Sequence, residues 1–352
     1  KTSRLERVSR HSWETFLEAP RIPVKLGSGS SIAGNDSERG TVMTDNEVVE
    51  LLAHDMSMEH QAILQYLFAA WVIGGEVGPS VESVARDEMR HFKYFGLAIA
   101  ELGGKPNMEG PAFQRLTDPT AIVLANIASE DEAVRVYTQH RDLIPDPRIK
   151  KLYDRIIEEE MYHGQKFQRM VPKVEGMPPV EFHEPQSPQQ ETLFRFLEED
   201  IAGEYAAILR YLHQSFVVAD GKLGNAIEDR AIDEMKHMGW MAEHKIDSGG
   251  EPVLQPAPVQ YSTELSEIFQ YNIQLEKGAE ERYQRHIDGY EDPDLQRVWA
   301  HIKFQEEHHT DDFENRLADL NRAPEAQAAT PPDASNVKPK TSVGSLFGKP
   351  QA

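Results

Sequence analysis

The residues of this chain best suited to chemistry are carboxylates and imidazoles that recur in a fixed order. Glu59 is followed by Glu88 and His91, then Glu130, then Glu160 and His163. The same order returns as Glu204, Glu234 and His237, Glu276, and finally Glu306 and His309. Each half therefore carries a single Glu, a Glu-x-x-His, another single Glu and a second Glu-x-x-His. Residues at i and i+3 share a helix face, so each Glu-x-x-His can offer a carboxylate and an imidazole to one metal. One such pair alone is ordinary on a solvated helix, and buried carboxylates are costly unless paired or metal-bound. The complete set, present twice at near-equal spacing, predicts two carboxylate-bridged two-metal sites. Oxygen-rich ligation with one imidazole per metal suits iron, with manganese as the alternative. Neither half lacks a ligand, so both sites are expected to be competent, with four irons per chain.

The elements that must position these residues follow from the same repeat. With a shift of 145 residues, Leu52, Asp55, Glu59, Ile63 and Tyr66 fall on Leu197, Asp200, Glu204, Ile208 and Tyr211. With a shift of 146, Asp87-Glu88-Met89 falls on Asp233-Glu234-Met235, and Asn126, Tyr137 and His140 fall on Asn272, Tyr283 and His286. So long a period means two tandem domains of one type, not a solenoid. Apolar residues at helical spacing predict a first helix from about residue 45, capped by Thr44 or Asp45 and ended by Gly74-Gly75. Ser80 is the expected cap of the second helix, which runs to Gly103-Gly104. A third helix is expected at 119–143, and a fourth enters at Pro147 and ends near Pro172. The second half predicts helices at 190–218, 223–247, 262–289 and 293–320. Short loops flank longer connections at 103–118 and 248–261, the pattern of a four-helix bundle with one crossover. The fold expected is all-α: two tandem four-helix bundles (45–172 and 190–320) joined by a Pro-rich linker (173–189). A locally basic, Gly/Ser-rich N-terminal arm (1–44) precedes them; a disordered tether (321–340) and a terminal segment (341–352) follow.

Composition excludes much else. The chain of 352 residues has no cysteine, which removes disulfides, thiolate metal sites and thiol nucleophiles. It has 37 Lys and Arg against 59 Asp and Glu, a formal charge of −22. So acidic a chain is a poor binder of nucleic acid. No apolar run is long enough to span a membrane, and no apolar stretch follows Lys1-Thr2-Ser3-Arg4 as a secretory signal would require. A cytoplasmic location is expected.

Asp233-Glu234-Met235-Lys236-His237 is very similar to the second-helix motif of bacterioferritins, and Asp87-Glu88-Met89-Arg90-His91 is its near copy. The chain resembles two fused ferritin-like domains of the bacterioferritin and rubrerythrin group, over about 45–172 and 190–320. The resemblance implies ferroxidase centres that oxidise Fe(II) with O2 or H2O2 and pass Fe(III) to a mineral, for iron storage and protection from oxidative stress. One centre would use Glu59, Glu88, His91, Glu130, Glu160 and His163. The other would use Glu204, Glu234, His237, Glu276, Glu306 and His309, with the Glu of each Glu-x-x-His as bridge. Rubrerythrins add a Cys-rooted iron domain and a Glu where this chain has Ala133 and Ala279, so their peroxidase chemistry is disfavoured. Tyr66 and Tyr211 share a face with Glu59 and Glu204. A tyrosine so placed in bacterioferritins can supply an electron; the plainer role is a hydrogen bond to a ligand carboxylate. Met89 and Met235 occupy the place of a bacterioferritin methionine that binds haem b across a two-fold interface, so the two domains could pack as a pseudo-dimer around one haem. Helix packing is the blander role for these methionines, and the favoured one. His140 and His286 are expected to be structural or surface groups. His54, His60, His244, His301 and His308 are expected at the surface, and Glu159 and Glu307 in solvent or feeding iron inward.

Near the C-terminus, Val343-Gly344-Ser345-Leu346 stands on a Pro/Ala-rich tether. Glycine lets a backbone lie close to a partner while Val and Leu fill small pockets. The segment is similar to the loading peptide of encapsulin cargo proteins, which implies docking to an encapsulin shell protein and a location inside that nanocompartment. A homodimer is a further expected assembly. Two rival functions remain from the residues alone: a di-iron or di-manganese peroxidase or oxygenase acting on H2O2 or a small organic molecule, and a non-catalytic iron-binding cargo.

Overall fold

A computed structural model describes residues 43–218 and 220–328. The N-terminal arm up to residue 42, the tether from residue 329 and the docking residues Val343, Gly344, Ser345 and Leu346 lie outside the described residues. Among the described residues the protein is entirely helical, with no strand. The first bundle comprises α1 (Asp45–Ile73), α2 (Gly78–Glu101), α3 (Pro119–Leu143) and α4 (Pro147–Val174). The second comprises α5 (Pro188–Val217), α6 (Gly221–Asp247), α7 (Leu265–Gly289) and α8 (Pro293–Ala328).

Local chemistry sets most of the helix starts. Thr44 and Glu47 form a capping box at α1, each side chain taking the backbone N–H of the other. Asp118, Asp146 and Ser187 cap α3, α4 and α5, each followed by a proline at the head of the helix. The second helix departs from expectation, because Ser80 does not cap it. Gly74 and Gly75 both take φ of 56°, which reverses the chain within a few residues. Gly78 then begins α2 with its N–H on the Gly74 carbonyl at 2.7 Å. A Cβ at Gly78 would lie 2.6 Å from the Ala70 carbonyl oxygen, so this tight reversal needs glycine. Pro172 does not end α4; it sits in the last turn, and the buried Val174 carries the helix past it. Similarly, α8 continues past residue 320 into the segment expected to be a disordered tether.

Within each bundle the sequential helices pair, α1 with α2 and α3 with α4, and likewise α5 with α6 and α7 with α8. The bundles also pack on one another, through α2 against α5 and α1 against α6. Helix α1 is consequently buried at every position from Ile63 to Ile73, and α5 from Glu204 to Gln214. A helix buried all round is covered on every side; α1 has its own bundle, the other domain, and the rings of Phe113 and Phe182, from the crossover and the Pro-rich connection, against Phe68. The contact has pseudo-two-fold character. His60 Nε2 and the Tyr205 hydroxyl, which occupy the same position in the two halves, meet at 2.6 Å. His60 is only 3% exposed, contrary to its expected surface position, because it lies in this interface. The rings of Phe92 and Phe216 meet edge to face at 6.0 Å between centroids, and Gly96 lets Phe216 lie against the α2 backbone. Lys93 bridges to Glu228 at 2.6 Å.

The Pro-rich connection is docked along both domains. Val180 donates its N–H to the Thr117 carbonyl, and His183 donates to that of Gly249, each at 3.0 Å. These bonds tie the segment to the crossover of the first bundle and to that of the second.

Phe92 touches His60 in its own bundle and Phe216 in the other, and it is 2% exposed. Phe92→Ala is expected to lower the unfolding free energy by about 3–5 kcal/mol. Urea denaturation followed by helical circular dichroism would measure this as a lower midpoint.

Candidate metal centres

The four helices of each bundle carry the repeated acidic and imidazole residues inward. Each of the twelve is at most 2% exposed. In the first bundle their donor atoms form two overlapping groups, Glu59, Glu88, His91 and Glu160, and Glu88, Glu130, Glu160 and His163. In the second bundle the groups are Glu204, Glu234, His237 and Glu306, and Glu234, Glu276, Glu306 and His309. Within each group the donor atoms all lie within 4.8 Å of one another. Glu88 and Glu160 belong to both groups of the first pair, and Glu234 and Glu306 to both of the second. Shared membership is the geometry of a bridging carboxylate.

Hydrogen bonding tests whether a metal pair fits. One oxygen on each of these four glutamates, Oε1 of Glu88, Glu160, Glu234 and Glu306, is buried without a hydrogen bond. Glu160 Oε1 lies 2.9 Å from His91 Nδ1, and Glu88 Oε1 lies 2.9 Å from His163 Nδ1, but without hydrogen-bond angles. Orphaned carboxylate oxygens crowded with imidazole nitrogens are a donor set awaiting a cation, because leaving them unsatisfied is costly. The terminal carboxylates are instead held by tyrosines. Tyr66 donates to Glu130 at 2.6 Å and Tyr137 to Glu59 at 2.7 Å. Tyr211 and Tyr283 donate to Glu276 and Glu204 in the same way. Tyr66 and Tyr211 thus sit one hydrogen bond away from the candidate ligands.

The far nitrogens of the imidazoles are also held. His91 Nε2 meets Glu159 at 2.8 Å and His163 Nε2 meets Asp87 at 3.2 Å. Such outer partners orient the ring and raise its basicity. Glu159, whose side chain is 27% exposed, is therefore an imidazole partner that also reaches solvent. In the second bundle His237 Nε2 meets the neutral Gln305 at 3.1 Å, and His309 Nε2 lies 3.6 Å from Asp233.

Charge crowding perturbs these groups in opposing directions. Burial, with the charge of Glu160, pushes the Glu59 carboxyl well above its ordinary range, and burial with Glu88 does the same to Glu130. Burial alone would lower the His163 imidazole, but Glu88, Asp87 and Glu160 lift it to about 12. His91 and His237 are raised by their carboxylate neighbours in the same way. Glu276 is lifted to about 8 by burial and Glu306. Against its burial, Glu160 is instead lowered by His91 and His163, and Glu204 is the one terminal glutamate that is lowered. Burial would raise it, but a hydrogen bond to His237 and the charge of Arg282 hold it at about 2.

The chain belongs to the ferritin-like domain family, which it matches twice, over residues 49–177 and 194–323. It is 32% identical over 141 residues to a bacterioferritin of Desulfovibrio desulfuricans; the match spans 38% of this chain and 75% of that protein. Iron-related chemistry at metal-binding helical bundles is therefore the class to which the protein belongs. Among the described residues no helix is long and apolar enough to cross a membrane.

Other sequence expectations find their places. His140 and His286 are structural, holding the buried Asp55 and Asp200. Met89 and Met235 are each 6% exposed and lie in the apolar core. Between the bundles, the rings of His60, Phe92, Tyr205 and Phe216 occupy the interface. Sequence reasoning missed Arg282, which reaches Glu204 at 2.6 Å and Asp200 at 3.0 Å. Aligning the halves position by position reveals it, since Val136 stands at the same place in the first bundle.

Metals take neutral imidazole and ionised carboxylate, so binding must expel the proton that His163 holds at neutral pH and works against the upward shifts of His91, Glu59 and Glu130. Metal binding is expected to release protons and to weaken as pH falls. Calorimetry in buffers of different ionisation enthalpy would detect the release; a heat independent of buffer would contradict it.

Proposed function

We propose that the protein is a ferroxidase that oxidises Fe(II) at two carboxylate-bridged centres, supplying Fe(III) for storage. The observation that carries this reading is the set of orphaned bridging oxygens on Glu88, Glu160, Glu234 and Glu306, each shared between two neighbouring donor groups. Two Fe(II) held side by side can deliver two electrons to one oxidant. O2 takes them with two protons and leaves as H2O2; H2O2 takes them with two protons and leaves as two waters. The residues of this chain do three things. Glu59, Glu130, Glu204 and Glu276 each complete one iron position, with tyrosine hydroxyls fixing their orientation. The outer partners Glu159, Asp87, Gln305 and Asp233 orient the imidazoles. The acidic surface implied by a net charge of −22 draws cations toward the bundles. Tyr66 and Tyr211, one hydrogen bond from the metal shell, are also suitably placed to supply an electron. The same donor set accepts manganese, which serves here as the competing metal.

Met89 and Met235 act as packing residues in this reading, and haem has no part in it. The ring-filled interface between the bundles supports that. The Val343-Gly344-Ser345-Leu346 segment is proposed to dock the protein inside an encapsulin shell. Many copies tethered to one lumen would gain avidity and meet iron as it enters.

Substitution of both Glu88 and Glu234 by Gln keeps size and removes the bridging charge. The double variant is expected to lose most of its Fe(II) oxidation rate, on the order of tenfold or more. Stopped-flow absorbance after mixing with aerated buffer would measure it; an unchanged rate would mean that iron is merely held. Purified protein is also expected to show no Soret band. Co-expression with an encapsulin shell protein should yield loaded shells from the full chain and empty ones when 341–352 are deleted.

A further inference from the structure

The two centres carry the same six types of candidate ligand but differ in what stands beside them. At the first centre an open cleft of about 370 Å³ leads to Glu59, Glu88, Glu130 and Glu160. Met58, Gln65, Ala125, Ala128 and Ser129 are among the residues that line it. At the second centre the same positions carry Gly203, Arg210, Tyr271, Gln274 and Leu275. The small residues of the third helix are thus replaced by larger ones, and Arg210 reaches across to the Tyr271 carbonyl at 3.0 Å.

The sharper difference is Arg282, which replaces Val136. Its Nη2 donates to Glu204 at 2.6 Å and its Nε to Asp200 at 3.0 Å. The guanidinium lies over the Tyr283 ring, 4.9 Å from its centroid. Gly203 makes room for it: a Cβ there would sit 2.7 Å from Arg282 Cζ. The first bundle has Met58 at that position, with Val136 opposite. Loss of a side chain at 203 and gain of a guanidinium at 282 are complementary changes. Together they place a fixed cation on Glu204 Oε1, the oxygen that Tyr283 also holds, while Oε2 faces His237 at 3.8 Å from its Nδ1. A second change acts in the same sense, since Gln305 replaces Glu159 as the partner of the second-helix imidazole. At these two positions the second centre is more positive by two units, one from Arg282 for Val136 and one from Gln305 for Glu159.

We propose that Arg282 is a built-in competitor for metal that makes the second centre the weaker and later-filling of the two. This rests on the metal-centre reading above and adds an order to it. The first centre, reached through an open cleft, takes cations first. At the second, the positive charge held against Glu204 opposes an arriving cation. A fixed positive charge against a ligand carboxylate corresponds to an affinity lower by on the order of ten- to a hundredfold.

The test is an anaerobic titration of the full chain with Co(II), which does not turn over, read by calorimetry and by the visible bands of the bound ion. The wild type is expected to bind two ions tightly and two more weakly. E88Q should remove the tight class and E234Q the weak one. Arg282→Val, which installs the residue of the first bundle, should raise the weak class to match the tight one. The reciprocal double variant Met58→Gly with Val136→Arg should weaken the tight class by a similar factor, and it tests the idea even if the Arg282 variant fails to fold. Four equivalent ions in the wild type, or a weak class unmoved by Arg282→Val, would overturn the proposal while leaving the metal centres standing. Binding of no ion would overturn both.

Discussion

Eight glutamates and four histidines stand in the interior of two small bundles with almost no water contact. Ionised groups removed from water cost several kcal/mol each unless partners compensate. The rest of the fold can be understood as the response to that cost. Four tyrosines donate to the terminal carboxylates, buried aspartates are tied by His140 and His286, and Glu159, Asp87 and Gln305 take outer imidazole nitrogens. Among the ligands, the oxygens left without a hydrogen bond are Oε1 of Glu88, Glu160, Glu234 and Glu306, each on a glutamate shared by two donor groups. A ligand shell that ties the terminal glutamates to tyrosines and leaves these four oxygens without a hydrogen bond is organised to receive cations there.

Duplication adds a second constraint. The bundles pack through α1, α2, α5 and α6, so the helices that carry Glu59, Glu88, Glu204 and Glu234 are also the interface helices. The hydrogen bond between His60 and Tyr205 joins the residues next to Glu59 and Glu204 in sequence. Fusion in one chain frees the halves from identity, which a symmetric pair of separate copies cannot escape. The exchange of Met58 and Val136 for Gly203 and Arg282 exploits that freedom at one centre alone.

The architecture was legible because it rests on periodicity and repetition. The helical spacing, the Gly74-Gly75 break, the prolines at helix heads and the doubled Glu-x-x-His set all act locally, and the observed helices follow them. The bridging pairs were legible for the same reason, since i, i+3 spacing decides which residues share a face. What escaped depended on contacts between distant segments. His60 reads as a surface histidine until α5 is laid against α1. Glu159 reads as one of three consecutive glutamates until His91 turns its Nε2 toward it. Pro178 and Pro179 suggest a loose linker, but the backbone bonds of Val180 and His183 to the two crossovers hold it in place. Arg282 is ordinary as a helix residue, and only its pairing with Gly203 across the bundle gives it meaning.

The most direct measurement is anomalous diffraction from crystals soaked anaerobically in saturating Fe(II) or Mn(II). The expected result is a pair of anomalous peaks in each bundle, one pair flanked by Glu88 and Glu160 and the other by Glu234 and Glu306. Peaks confined to the acidic surface, or a bundle interior with no anomalous signal, would contradict the assignment of these clusters as metal centres.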